Sequence, residues 1–117
     1  MNRSKAGRQG EARAARALEK AGLKIIARNI RSPYGEVDLI ALEGETVVFA
    51  EVKSWTSFGM ENLQNSVDKK KQSRIIETAK DFLANHSEFD EYAIRFDVVF
   101  ISSQKVIHIP SAFEEET

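Results

Sequence analysis

The apolar residues of the chain recur at helical spacing in two separate stretches. In residues 8–21 they fall at positions i, i+1, i+4 and i+7, and the following Gly22 is suited to end a helix. Residues 67–86 contain a second and longer apolar stripe. The stripes consist of Ala14, Ala15, Leu18 and Ala21 in the first stretch and of Ile75, Ile76, Ala79, Phe82 and Leu83 in the second. The pattern predicts two helices, one at each of these places.

Five other segments have the apolar composition of β-strands. They are residues 23–30, 36–42, 46–53, 94–101 and 105–109. A turn-forming sequence, Ser32-Pro33-Tyr34-Gly35, separates the first two segments, and the short gap between the second and third predicts a β-hairpin. Residues 54–65 have no clean period and predict a loop or a short irregular element.

The predicted order of elements is α-β-β-β-α-β-β. This order is typical of an α/β domain with a central mixed β-sheet flanked by helices. The length of 117 residues, or 13.2 kDa, fits one core, so we expect a single domain over residues 1–117 with an acidic tail at about 114–117.

Composition excludes several classes of protein. Apolar residues make up 42% and charged residues 30% of the chain, which is typical of a globular domain and excludes disorder. The absence of Cys excludes disulfides, thiolate zinc sites, iron–sulfur clusters and cysteine nucleophiles. No apolar run approaches the roughly 20 residues that cross a bilayer, and the N-terminus has no signal-peptide pattern. We therefore expect a cytoplasmic protein without a membrane partner.

The net charge of −1 conceals an uneven distribution of charge. Residues 1–31 contain nine basic and two acidic residues, whereas residues 32–62 contain one basic and six acidic residues. A basic lobe beside an acidic cluster is expected of a protein that holds a polyanion and a divalent cation, although solvated helices give the same counts. Four basic residues also crowd the start of the second predicted helix and oppose its dipole, so either solvent or an anionic ligand compensates them. They are Lys69, Lys70, Lys71 and Arg74.

Three charged residues interrupt the apolar strands of the predicted hairpin. Alternation along the third strand puts Glu51 and Lys53 on one face. Whether Asp38 of the second strand shares that face depends on the turn. A two-residue loop at 43–44 makes Asp38 diagonal to Glu51, and a four-residue loop at 43–46 puts the two residues opposite each other. An unbulged three-residue loop turns Asp38 to the wrong side.

A shared face brings the two carboxylates within about 5 to 8 Å. Half-buried acids at that separation repel each other unless a cation neutralises them. Because the site offers oxygen ligands and no Cys or suitably placed His, the expected cation is Mg²⁺ or Mn²⁺. Lys53 could then orient a metal-bound water or stabilise the charge of a phosphorane. The alternative interpretation of Asp38, Glu51 and Lys53 is a structural ion pair with a spare acid.

Glu11 belongs to the inward stripe of the first predicted helix, because it precedes Ala14, Ala15 and Leu18 by three, four and seven residues. It could join the metal site directly or through water. The alternative is a helix-start glutamate that the dipole stabilises and that points to solvent.

Other polar and aromatic residues have local interpretations. Asp97 lies on the same strand face as Arg95 and is expected to pair with it, and His86 is expected to cap a helix end. His108 is interpreted as structural, and residues 114–116 as a solvated tail. Trp55 and Phe58 could stack on nucleic-acid bases or pack within their own loop.

The motif residues resemble those of a known family. Asp38 followed by Glu51-Val52-Lys53 resembles the PD-(D/E)xK nuclease superfamily, and the preceding helical Glu11 resembles its archaeal Holliday junction resolvase branch. A wider match covers nearly the whole chain and resembles the bacterial YraN-like family of uncharacterised, predicted endonucleases. The matching segments are Gly10-Glu11, Arg28-Asn29-Ile30-Arg31, Gly35 to Ala41, Val48 to Lys53, Lys71, and Arg95 to Val99.

The resemblance implies a restriction-endonuclease-like fold and roles for individual residues. It implies that Asp38, Glu51 and the Val52 carbonyl hold the metal, that Lys53 assists the attacking water, and that Glu11 completes the acidic set. It further implies phosphate contacts, for which the candidates are Lys71 and Arg28 or Arg31, with Arg74 beside Lys71. The family usually has Arg where this chain has Trp55, so one phosphate contact is expected to be lost or replaced by stacking.

Together these features predict a Mg²⁺- or Mn²⁺-dependent endonuclease that cleaves DNA, with branched or otherwise structured DNA as the expected substrate and a 5′-phosphate as a product. Resolvase-like cleavage would need two sites, so a homodimer is expected. The rival prediction is a non-catalytic nucleic-acid-binding module on the same fold. A small-molecule phosphatase fits the acids but leaves the basic lobe unexplained, and RNA is the alternative nucleic acid.

Overall fold

The computed structural model describes residues 5–54 and 67–116. These residues form two helices, five strands and a short 3₁₀ helix, Ser87–Phe89. The helices are α1, Lys5–Lys20, and α2, Lys69–Ala84. The strands are β1, Lys24–Ser32; β2, Gly35–Glu43; β3, Thr46–Ser54; β4, Ala93–Ile101; and β5, Val106–Phe113. Neither helix is long and apolar enough to cross a membrane.

The five strands form one mixed sheet in the order β1-β2-β3-β4-β5. The β3–β4 pair is parallel because α2 connects these strands, and the other three pairs are antiparallel. The predicted α/β class, element order and mixed sheet are therefore confirmed for these residues. The last strand continues through Pro110, beyond the predicted end at residue 109, since an edge strand tolerates a residue without an N–H donor.

One helix covers each face of the sheet. On the α1 side, Ala14, Ala15 and Leu18 pack against an apolar patch whose buried strand residues come from β2, β3 and β4. On the α2 side, Ile75, Ala79 and Phe82 pack against a second patch. The buried strand residues are Leu39, Ala41, Val48, Ala50, Val99 and Ile101 on the α1 side and Ile40, Val47, Phe49, Phe96, Val98 and Phe100 on the α2 side. The predicted stripes thus form the core, except that Ala21 is exposed because α1 ends at Lys20.

The β2–β3 hairpin has the register that a four-residue loop was expected to give. Leu42 pairs with Val47, and Glu43 also pairs with Thr46, so the turn itself contains only residues 44 and 45. Gly44 supplies the positive φ of 57° that such a tight turn requires. This register is one of the two that direct Asp38 toward Glu51.

The β1–β2 turn is fixed against the middle of α2. A Cβ atom on Gly35 would lie 3.2 Å from Cβ of Arg74, so glycine allows the turn to approach the helix closely. The hydroxyls of Ser32 and Thr78 are 2.8 Å apart and join the same two elements. These contacts position α2 beside the end of β2 that carries Asp38.

Candidate functional site

Asp38 occupies a point at which β2 departs from both of its neighbouring strands. The Cα partners of β1 and β2 pass from Arg28–Leu39 to Ile30–Val37 without an Asn29–Asp38 pair. On the other side, the β2–β3 ladder ends at Leu39–Ala50. Asn29 has a φ of 54°, which turns β1 locally out of the extended conformation. Asp38 therefore lies outside the regular pairing on both sides of β2, and its side chain can extend toward β3.

This irregularity interrupts the alternation of side chains along β2. Strict alternation puts Val37 on the same face as Leu39 and Ala41. In the structure Val37 instead packs in the α2-side cluster with Ile40. The reason is the distortion opposite Asn29, which interrupts the alternation of the two paired strands.

The carboxylate of Asp38 reaches across to the backbone of β3. Its Oδ2 accepts a hydrogen bond of 2.8 Å from the Val52 N–H, and the residue is 7% exposed. The N–H and C=O of one residue in an extended strand point to the same side. The Val52 carbonyl is therefore directed to the β2 side of β3, toward Asp38.

Glu51 lies beside Asp38 and is also buried, with 8% exposure. Continuing the hairpin register by one pair puts these two residues across from each other. Burial, the charge of Asp38 and a hydrogen bond with Asp38 raise the pKa of Glu51 to about 8, although Lys71 acts in the opposite direction. The structure thus brings two acids together in a setting that disfavours two negative charges.

Lys71 supplies positive charge to this pair of acids. Its Nζ lies 3.2 Å from Oε2 of Glu51, and its side chain is half exposed. The first turn of α2 is fixed by Asp68, whose Oδ1 accepts the Lys71 N–H at 2.8 Å. The family resemblance implies a phosphate contact for Lys71, and the structure adds a contact with a carboxylate. One signal of this contact is visible in the sequence, namely a lysine placed against the dipole at a helix start.

Lys53 is the next residue after Glu51 on the same side of β3. It is partly buried and pairs with Phe100 in the parallel β3–β4 ladder. Lys53 therefore belongs to the end of the sheet at which Asp38 and Glu51 meet.

Glu11 is buried in α1, with 5% exposure, and its Oε2 is inaccessible to solvent. The solvent-facing interpretation of Glu11 is therefore wrong. The preceding Gly10 lies near Ile101, which pairs with Ser54 at the end of β3, so this turn of α1 is close to the same end of the sheet. Across residues 5–54 and 67–116, no group of three acidic or histidine side chains is arranged to hold a metal ion.

The basic candidates lie on different sides of the sheet. Arg74 is exposed on α2, one turn after Lys71. Arg31 is 3.2 Å from Glu36 through its Nε atom, as its cross-strand partner. Arg28 is exposed on the edge strand β1 and pairs with Leu39, whose side chain belongs to the α1 side. Trp55 and Phe58, the stacking candidates, are outside the described residues.

Asp97 is the centre of a buried polar network away from the acid pair. Its carboxylate accepts two hydrogen bonds of 2.9 Å from Arg95, which confirms the predicted pair. It also contacts His108 Nε2 at 2.7 Å and accepts the Ser111 N–H at 3.0 Å. Burial alone would raise the pKa of Asp97, but the hydrogen bonds from His108, Arg95 and Ser111 lower it. This network attaches β5 to β4 and has the structural role expected of His108.

His86 and the acidic tail both contact α2. His86 follows the helix, and its Nδ1 lies 2.7 Å from the carbonyl oxygen of Phe82, as the predicted cap requires. The acidic tail is not simply solvated, because Glu115 and Glu116 form ion pairs with Lys80 and Lys69. The hydrogen bond with Glu115 raises the pKa of Lys80, and the hydrogen bond with Lys69 lowers the pKa of Glu116.

The fold and site define a small α/β domain with a buried pair of carboxylates at the end of a β-hairpin. The chain belongs to the uncharacterised protein family UPF0102, whose family model matches residues 10–101. This match confirms the resemblance to the YraN-like family.

Relatives of this family match along most of their length. A UPF0102 protein of Treponema pallidum (strain Nichols) is 43% identical over 116 residues, which cover 93% of this chain and 92% of that protein. A UPF0102 protein of Persephonella marina is 37% identical over 108 residues, with 92% of each chain covered. One of Anaeromyxobacter dehalogenans is 40% identical over 112 residues, which cover 92% of this chain and 83% of that protein.

Proposed function

We propose that this chain is a metal-dependent endonuclease of the PD-(D/E)xK superfamily, with a restriction-endonuclease-like fold. It hydrolyses phosphodiester bonds in cytoplasmic DNA, with branched or structured DNA as the substrate, as in Holliday junction resolvases. The observation that carries this proposal is the pair Asp38 and Glu51, buried next to each other with Lys53 on the same side of the strand. The mixed sheet with one helix on each face supports the fold assignment.

The chemistry of the donor set fits a hard divalent cation. Asp38 and Glu51 offer carboxylate oxygens, and the Val52 carbonyl is directed to the same side of β3. The burial and mutual repulsion that raise the pKa of Glu51 would be relieved by a positive ion between the two acids. These three residues would hold Mg²⁺ or Mn²⁺, and buried Glu11 is the candidate for contact through water. The bound ion would polarise the scissile phosphate and lower the pKa of a water molecule.

The residues of the chain then have distinct roles in hydrolysis. Lys53 orients the attacking water or stabilises the negative charge that develops on the phosphorane. In-line attack forms a bond from the water oxygen to phosphorus and breaks the bond from phosphorus to O3′, which leaves a 5′-phosphate and a 3′-hydroxyl. Lys71 and Arg74, on the exposed start of α2, contact neighbouring phosphates. Arg28 and Arg31 on β1 are candidates for phosphates farther along the substrate.

The proposal is tested by cleavage of labelled DNA. A four-way junction and a linear duplex are incubated with Mg²⁺ or Mn²⁺ and with wild type, Asp38→Ala or Lys53→Ala. We expect each substitution to reduce the cleavage rate by about 10²-fold or more, the typical effect of removing a group that stabilises the transition state. Lys24→Ala is the matched control, since Lys24 is exposed and pairs with Leu42 near the opposite end of the hairpin. Its rate should equal that of wild type.

One observation favours the alternative of a non-catalytic nucleic-acid-binding module. Lys71 already supplies positive charge to Glu51, so the acid pair has a compensating group without a metal. A binding module would hold DNA with a steep salt dependence and would cleave neither substrate with either ion. The junction assay therefore separates the two functions, and measurement of the mass in solution tests the homodimer that paired cuts on a junction require.

A further inference from the structure

The acidic tail lies along one side of α2 rather than extending into solvent. Glu116 forms an ion pair with Lys69, and Glu115 forms one with Lys80. The two lysines are eleven residues apart, or about three helical turns, and their side chains converge on two consecutive glutamates of the tail. A cavity between the tail and the helix is lined by residues from both elements.

The helix surface under the tail is a continuous stripe. Lys69, Gln72, Ser73, Ile76 and Lys80 are spaced at i, i+3, i+4, i+7 and i+11, and so share one side of α2. We call these five residues the tail stripe. Its first residue, Lys69, is two positions from Lys71, which contacts Glu51. Residues two positions apart lie on different sides of a helix, so the tail stripe shares the first turn of α2 with Lys71 but faces another side.

The contacts between tail and stripe are of a kind that a polyanion can replace. Residues 114–116 have no regular secondary structure and are exposed, and the paired lysines are also exposed. Exposed ion pairs are weak and are screened by salt. A DNA phosphate carries the same single negative charge as a carboxylate, so it can replace the carboxylate as the partner of a lysine. Binding of the lysine to the phosphate also releases counterions from the nucleic acid, which favours the exchange.

An acid of α2 itself lies beside the tail stripe. Glu77 lies 3.5 Å from Lys80 through its Oε2 atom, so Lys80 retains an acidic neighbour when the tail leaves. Lys69 is expected to contribute the larger part of any new phosphate contact. The expected gain is thus about one net phosphate contact rather than two.

We propose that Glu115 and Glu116 cover a phosphate-binding extension of the nuclease site on α2, and that the tail leaves this stripe when DNA binds. This inference rests on the proposed function, because the DNA that crosses Asp38 and Glu51 is the polyanion that displaces the tail. In the absence of DNA the tail occupies the stripe and lowers the affinity for weakly bound polyanions.

The test uses the full chain and a single-stranded DNA labelled with a fluorophore, with EDTA present so that no hydrolysis occurs. Binding is measured by fluorescence anisotropy at several salt concentrations from about 0.05 to about 0.2 M, because the salt dependence of the affinity reports the number of phosphate contacts. The tail variant is Glu115→Gln with Glu116→Gln. Its matched control is Glu88→Gln with Glu91→Gln, which removes the same two charges from exposed positions between α2 and β4.

We expect the tail variant to bind about tenfold more tightly than the control at 0.1 M salt, with a slope of log K against log salt that is steeper by about 0.7, as for one phosphate contact on a single strand. Adding Lys69→Gln to the tail variant should abolish most of this gain. In wild-type protein, the backbone amide signals of residues 114–116 should shift on DNA binding toward their positions in the tail variant.

Two results would overturn the inference, and they differ in what they say about the nuclease. Equal affinities of the tail variant and the control, with unchanged tail signals, would overturn the inference alone and leave the cleavage test unaffected. Failure of wild type, tail variant and control to bind any DNA would overturn both the inference and the proposed function.

Discussion

The backbone N–H of Val52 donates a hydrogen bond of 2.8 Å to Oδ2 of Asp38. This bond crosses from β3 to β2 beyond the last regular pair of the hairpin, Leu39–Ala50. It orients the Asp38 carboxylate, which also forms a hydrogen bond with the Glu51 side chain. The same bond directs the peptide of Val52 toward the acid pair, and thus links strand geometry to the chemistry proposed for the site.

The first prediction concerns the influence of Asp38 on its neighbour. In Asp38→Asn the charge that repels ionised Glu51 is removed, so the pKa of Glu51 should fall from about 8 toward its ordinary 4.5. Burial should keep it above 4.5. The measurement is a pH titration of the Glu51 side-chain carboxyl carbon by NMR. An unchanged pKa in Asp38→Asn would contradict the proximity of the two acids.

The second prediction concerns the pH dependence of stability without divalent cations. The folded pKa of Glu51, about 8, exceeds the ordinary 4.5, so the folded protein holds a proton that the unfolded chain releases between these values. The contribution of Glu51 to stability is therefore fully present below pH 4.5 and is lost as the pH rises to 8, by at most about 1.4 kcal/mol per pH unit.

Glu51→Gln provides the comparison for this pH dependence. It cannot ionise, so its free energy of unfolding should exceed that of wild type increasingly as the pH rises from about 5 to 8. Urea unfolding at several pH values measures the difference. Parallel curves for the two proteins would show that Glu51 ionises normally.

The third prediction concerns Lys71 as a competitor of the metal ion. Lys71→Met removes the amine that lies 3.2 Å from Glu51. Mn²⁺ should then bind about three- to fivefold more tightly, which corresponds to loss of a half-exposed ion pair. Electron paramagnetic resonance of free Mn²⁺ measures this affinity independently of catalysis. Lys70→Met removes the same charge from the neighbouring exposed residue and should have a smaller effect.

The fourth prediction concerns the contact that positions α2. In Gly35→Ala the new Cβ would lie 3.2 Å from Cβ of Arg74, so the turn and the helix must separate. We expect a loss of about 1 to 3 kcal/mol in the free energy of unfolding. Gly10→Ala is the matched control, because its Cβ would lie at an ordinary 3.9 Å from Ile101 and alanine favours a helix. Denaturant unfolding of the two variants should show opposite changes.

The sequence predicted the framework of the fold because local patterns determine it. The apolar stripe from Ile75 to Phe82 predicts that one face of α2 is buried, and the alternating apolar residues around Phe49 predict the same for one face of β3. Both faces are buried in the structure. The sequence left three lengths of hairpin loop open, two of which direct Asp38 toward Glu51, and the observed pair Leu42–Val47 belongs to one of these two. These features depend on neighbours along the chain and can be inferred from periodicity.

The remaining features depend on contacts between distant segments. Val37 departs from alternation because Asn29 on another strand adopts a positive φ, which no local pattern in β2 signals. Lys71 and Glu51 meet only when α2 folds back over β3. The pairing of the tail with Lys69 and Lys80 likewise depends on where β5 ends. The identity of the acid pair was thus predictable, whereas its compensating charge was not.

Metal-dependent cleavage at Asp38 and Glu51 can be measured by single-turnover hydrolysis of a labelled four-way junction, with protein in excess and with Mg²⁺ added or withheld. Strand scission should begin only when the ion is added, should yield 5′-phosphate ends, and should disappear in Asp38→Ala but persist in Lys24→Ala. An intact junction in the wild-type reaction, or equal scission by wild type and Asp38→Ala, would contradict metal-dependent cleavage at these residues.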